Sequence, residues 1–103
     1  MTTCVDALDW AAIEAELDAY SAATTGPLLT AAECAALEAL YPEERPFRSR
    51  VIMARHGYGR GEYKYFAYPL PEIVHALRPA LYARLAPIAN RWHERLGSEA
   101  RFP

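Results

Sequence analysis

The segment DWAAIEAELDAY sets Trp10, Ile13, Leu17 and Tyr20 at i, i+3, i+7 and i+10, which draws one apolar stripe along a helix. Asp6 or Asp9 is positioned to cap its start, because a short side-chain acceptor satisfies first-turn amides that have no helical partner. ATTGPLLT follows, β-branched residues ahead of a Gly–Pro break, and predicts a short strand or extended segment. From Thr30 to Glu33 the sequence TAAE is a capping box, in which hydroxyl and carboxylate each satisfy the other residue's backbone donor. It opens a second helix with Cys34, Leu37, Leu40 and Tyr41 expected inward, and Pro42 stops it.

Beyond Pro42 the period changes to two. RPFRSRVIMAR reads as a strand with Phe47, Val51 and Met53 on one face and Arg48, Arg50 and Ile52 on the other. EYKYFAY reads as a second strand, with Tyr63, Tyr65 and Ala67 on one face and Lys64, Phe66 and Tyr68 on the other. After PLP a helical tail carries the stripe Leu81, Leu85, Ile88, Trp92 and Leu96. Pro87 falls inside that stripe and predicts a kink or restart, and Gly97 is placed to end the helix. The pattern predicts an α+β fold: two N-terminal helices, a central antiparallel β-hairpin and a kinked C-terminal helix.

Between the two strands lie Gly57, Gly59 and Gly61. A phosphate-binding P-loop needs G-x-x-x-x-G-K-[ST] opening a helix, and no Lys-Ser or Lys-Thr pair follows here. A dinucleotide fingerprint fails by spacing and by the missing helix. Three glycines between strand-like runs instead supply backbone angles that residues with a Cβ avoid, so the stretch is a hairpin loop.

A length of 103 residues allows one domain, either complete in itself or a fragment of a larger fold. It divides into an acidic helical part (1–44), a basic hairpin (45–68) and a kinked helical tail (69–103). Hydrophobic residues at 52% and charged residues at 23% fit a globular chain, not a disordered one. No apolar run is long enough to span a membrane, and the N-terminus lacks a basic region ahead of an apolar stretch, so a cytoplasmic location is expected. Two cysteines, Cys4 and Cys34, form no disulfide framework and read as idle thiols in a reducing compartment. The net charge of −2 conceals a split: residues 1–44 hold nine acids and no lysine or arginine, whereas residues 45–103 hold all eleven cations and four acids. Either the halves neutralise each other or the basic half faces an anion.

The chemistry on offer is binding, not catalysis. Arg48, Arg50, Arg55, Arg60 and Lys64 interleave with Tyr58, Tyr63, Tyr65 and Tyr68, and cations that neutralise phosphates beside rings that stack on bases are what single-strand binders use. The same residues also suit an ordinary exposed hairpin, since tyrosines favour strands and arginines favour edges. His56, His75 and His93 form no metal pattern, with neither H-x-D nor H-E-x-x-H present. His75 reads as a structural histidine beside an apolar face, His93 as a partly exposed helix residue, and His56, in the loop, could touch a ligand but alone licenses no reaction. Cys34 has no neighbour in sequence to stabilise a thiolate, and no catalytic triad or isolated carboxylate pair can be drawn.

From Gly26 onward, GPLLTAAECAALEALY, FRSRVIMARHGYGRGEYKYFAYPLPEIV and LRPALYARLAPIANRWHERLG resemble the N-terminal part of a bacterial Fe(II)/2-oxoglutarate oxygenase family, associated with oxidative demethylation of damaged nucleic acid and labelled prolyl 4-hydroxylase-like. The resemblance implies that these elements precede a double-stranded β-helix that carries the chemistry. Such families hold iron through H-x-D and a distal His. Here Asp6, Asp9 and Asp18 all precede the first histidine, so no metal, 2-oxoglutarate or catalytic residue carries over. Fe(II) and 2-oxoglutarate are implied for the complete family protein, with none in this chain. The residues expected to contact substrate are Arg55, Arg60, Lys64, Tyr63 and Tyr65. The partners expected are a downstream oxygenase core, nucleic acid and, through uncovered apolar surface, a second copy of the chain.

Three readings remain open: an oxygenase segment that is inactive alone, a non-catalytic module that binds nucleic acid or protein through the hairpin, and a module that dimerises. The first predicts no succinate release and no Fe(II) affinity from this chain, with activity recovered on adding the downstream half. The second predicts salt-sensitive oligonucleotide binding by the chain alone, and the third a concentration-dependent dimer without ligand.

Overall fold

A computed structural model describes residues 2–103. In order it contains α1 (Thr2–Asp6), α2 (Trp10–Tyr20), α3 (Ala31–Leu40), β1 (Phe47–Ile52), a 3-10 turn (Met53–His56), β2 (Glu62–Phe66) and α4 (Glu72–Arg95). The fold is α+β, with helices before and after a two-stranded antiparallel hairpin in chain order. Two compact units emerge: a helical unit of residues 1–28 with 75–103, and a hairpin unit of residues 29–74.

In the helical unit α2 starts at Asp9, whose carboxylate accepts from the Ala12 amide at 3.1 Å. The short α1, which has no apolar period of its own, precedes it and contributes Val5, fully buried. The Trp10 indole Nε1 donates to the Val5 carbonyl at 2.8 Å, tying α1 to α2. Val5, Ile13, Ala80 and Ile88 are the buried residues of the described chain, and all belong to this unit. Of the stripe expected on the tail, Ile88 is buried but Leu85 and Leu96 are exposed, Leu96 at 83%. α4 does not restart at Pro87: it runs as one element through Pro79 and Pro87. Each proline removes one backbone donor from the helical ladder. Arg95 sits in its last turn, where a cation opposes the helix dipole favourably, and Gly97 at φ 74° closes it as expected.

Charge orders the same unit. Arg84 pairs with Asp6 at 3.0 Å, Arg91 pairs with Glu14, and Arg91 and Arg95 approach Asp18 at 3.7 and 3.6 Å. The Trp92 indole donates to Asp18 at 2.8 Å. Acids of the N-terminal part thus meet cations of the tail.

The hairpin unit opens with the capping box: the Glu33 amide donates to Thr30 Oγ1 at 3.1 Å and the Thr30 amide to Glu33 Oε1 at 2.9 Å. Cys34, expected inward on α3, is exposed, and Tyr41, just past the helix, stays 41% exposed even though the hairpin packs against its ring. Residues 22–29 remain irregular and form no strand, since no partner ladder accepts them.

The register of the hairpin departs from simple alternation. Arg50 faces Lys64 and Ile52 faces Glu62, but Ser49 faces Tyr65 while Phe47 faces Phe66, so a bulge falls at Arg48. One extra residue reverses the side on which everything beyond it points. Phe47 therefore leaves the face expected for it with Val51 and Met53 and joins Lys64 and Phe66. Met53 itself lies in the 3-10 turn.

Truncating Ile88 to Ala should cost about 2–5 kcal/mol of unfolding free energy, whereas Leu96→Ala should change it by less than about 0.5 kcal/mol. Urea denaturation followed by tryptophan fluorescence measures both, and equal effects would place the core elsewhere.

Candidate nucleic-acid interface

The bulge gives the hairpin two chemically different faces. On one, the Phe47 and Phe66 rings stack with centroids 5.1 Å apart, and Tyr41 meets Phe47 edge-on at 6.0 Å. Lys64 Nζ lies over the Tyr41 ring at 4.2 Å and the Phe47 ring at 5.0 Å, and donates to the Tyr41 carbonyl. Glu62 accepts from the Tyr41 hydroxyl at 3.0 Å and sits 3.8 Å from Arg50. Loss of water around the Tyr41 phenol, then its hydrogen bond to Glu62 and that carboxylate's charge, raise its pKa against a smaller opposing effect of Arg50. This face is internally satisfied.

On the other face Tyr63 and Tyr65 stand side by side on β2, ring centroids 5.5 Å apart and nearly perpendicular. They are 43% and 47% exposed, enough ring surface to receive a planar ligand. The Arg48 guanidinium lies over the Tyr65 ring at 5.5 Å. Desolvation, followed by the hydrogen bond it shares with Tyr65, raises the pKa of Tyr63. Two rings and one cation on an open sheet face form a stacking platform with a phosphate-seeking charge beside it.

The residues singled out from sequence thus separate. Tyr63 and Tyr65 come together on the platform. Arg55, in the 3-10 turn, and Arg60, in the loop, are exposed beyond the end of the strands and make no ion pair or hydrogen bond among the described residues. Lys64 lies on the opposite face, held by the aromatic rings. Arg48 belongs to the platform although strict alternation had set it away from the tyrosines, because a bulge leaves no reliable mark in sequence. A depression of about 430 Å³ beside β1 is lined by Glu43, Glu44, Arg48, Arg50 and Lys64 with Pro42, Phe47 and Ser49.

Residues 61–103 match a protein family described as an oxygenase catalysing oxidative methylation of damaged DNA. The matched stretch includes β2, and so both platform tyrosines, and all of α4. It supports an oxygenase family acting on damaged DNA. Comparison with curated proteins and with solved structures gives no match. Among the described residues, no three His, Cys, Asp or Glu side chains converge where they could hold a metal ion. No helix there is long and apolar enough to cross a membrane.

The raised phenols carry a pH consequence. Their folded pKa values lie above the unfolded value of about 10, so the stability they contribute is complete below pH 10 or so and is lost as pH rises through the folded values. Alkaline titration of phenolate absorbance should show late-ionising tyrosines, and Tyr41→Phe should remove one of them. A titration curve unchanged by Tyr41→Phe would contradict the Glu62 contact.

Proposed function

We propose that this chain is the N-terminal segment of an Fe(II)/2-oxoglutarate-dependent dioxygenase acting on damaged DNA by oxidative demethylation. Its part is to bind the nucleic acid through the hairpin. The observation that carries this reading is the coincidence of the family match with β2, the strand that presents Tyr63 and Tyr65 beside Arg48. Stacked bases take the rings, while Arg48, Arg55 and Arg60 meet the backbone phosphates. Lys64 acts from behind, holding Tyr41 and Phe47 together so that β1 and β2 keep their register.

This chain's own residues do not fit the iron site. Its sequence has no H-x-D, and among the described residues its histidines, cysteines and carboxylates do not gather in threes. We therefore assign Fe(II) and 2-oxoglutarate to the downstream oxygenase core and regard this chain as inactive by itself. The exposed, unpaired thiols of Cys4 and Cys34 suit a reducing compartment, and we assign the protein to the cytoplasm. A second reading, a non-catalytic nucleic-acid-binding module, is favoured by the assembly of the whole platform within residues 29–74.

Binding to a labelled single-stranded oligothymidylate, followed by anisotropy, tests the platform. Tyr63→Ala and Tyr65→Ala should each remove about 1–3 kcal/mol, a loss of affinity of roughly fivefold to 150-fold. Lys64→Ala should lower thermal stability before it lowers affinity. Undiminished binding by the Tyr63→Ala, Tyr65→Ala double variant would sink the proposal.

A further inference from the structure

The turn joining β1 to β2 has a pinned base and a bare apex. The Met53 amide donates to the Gly61 carbonyl at 2.9 Å, the Gly57 amide to Ala54 at 3.3 Å and the Tyr58 amide to Met53 at 3.2 Å. Gly57, Gly59 and Gly61 take φ of 73°, 93° and 104°, left-handed backbone that side chains resist. A Cβ built on any of the three would meet nothing within 4 Å, so the glycines serve backbone conformation and not close packing.

Tyr58 sits between the first two of these glycines and is 75% exposed. No hydrogen bond to its hydroxyl and no ring contact holds it among the described residues. Arg55 and Arg60 flank it in sequence, and with Arg45 they are the cations of the hairpin unit that have no partner there. Arg48, Arg50 and Lys64 are engaged by Tyr65, Glu62 and the aromatic face. Two of these three unpartnered cations therefore lie within three residues of one exposed aromatic ring. Proteins that bend or open duplex DNA press such a side chain between base steps and hold the adjoining phosphates with cations.

We infer that the hairpin tip is an unstacking wedge for duplex DNA, in which Tyr58 enters a base step while Arg55 and Arg60 hold the flanking phosphates. The inference rests on the nucleic-acid reading above and extends it from a strand-binding face to an element that opens the duplex. Opening a step frees bases for the Tyr63–Tyr65 platform. The ring can be driven into the stack because the three hydrogen bonds at its base resist its retreat.

The test titrates the full chain into a duplex carrying 2-aminopurine at a central step, with binding followed on the same sample by anisotropy of an end label. Saturating protein should raise 2-aminopurine emission several-fold, Tyr58→Phe should keep that rise, and Tyr58→Ala should abolish it. Tyr20→Ala, which removes an equally exposed ring on α2, should behave as the parent chain. Arg55→Ala with Arg60→Ala should bring the slope of log affinity against log salt toward zero by about 2. A bound duplex with unchanged emission, or a full rise with Tyr58→Ala, would overturn the wedge and leave the strand-binding platform standing. Failure to bind duplex while binding single strands would also overturn the wedge, and failure to bind either would overturn both.

Discussion

The ion pairs that tie α4 to the N-terminal acids, Arg84 to Asp6, Arg91 to Glu14 and Asp18, and Arg95 to Asp18, constrain how charge is distributed over the rest of the molecule. Their side chains are between about a third and three-fifths exposed, so each pair stabilises by no more than about 1 kcal/mol. Stability of the helical unit rests instead on the burial of Val5, Ile13, Ala80 and Ile88. What the pairs accomplish is neutralisation. Arg84, Arg91 and Arg95 are matched to the acids of α1 and α2, whereas Arg48, Arg55 and Arg60 of the hairpin have no acid partner among the described residues.

Within the hairpin a second sorting occurs, and it depends on one residue. The bulge at Arg48 turns Phe47 onto the Lys64 face, where stacked and edge-on rings with an ammonium group close off that side. The same bulge brings Arg48 over Tyr65 and leaves Tyr63 and Tyr65 as an open platform. A regular hairpin of this sequence would put Phe47 beside the tyrosines and Arg48 beside Lys64, blurring both faces. The match of residues 61–103 to an oxygenase family acting on damaged DNA takes in the strand that the bulge equips in this way.

Local signals were the legible ones. Thr30 and Glu33 announce their capping box, Gly97 its helix end, the three glycines a turn, and Asp6 or Asp9 a cap that the structure gives to Asp9, because each depends on a few neighbouring atoms. The charge split between the first 44 residues and the remainder left two readings open, mutual neutralisation or an anion facing the basic half, and the ion pairs of α1, α2 and α4 follow the first. Tertiary features were not legible. An apolar residue is buried only if another element covers it, so Cys34, Leu85 and Leu96 kept their helical spacing without becoming core. Val5 became the most buried side chain from a segment too short to show a period. At the candidate site, Tyr63 and Tyr65 could be paired by alternation alone, but the recruitment of Arg48 and the confinement of Lys64 required the register.

The central claim is that the hairpin's cations, and not the paired cations of α4, meet the nucleic-acid backbone. The salt dependence of single-strand binding by the whole chain reads this most directly. Contacts from Arg48, Arg55 and Arg60 predict a slope of log affinity against log salt of about −2, which the triple alanine variant brings close to zero. A slope that survives removal of those three charges, or that vanishes when Arg84 and Arg95 are neutralised instead, would contradict the account.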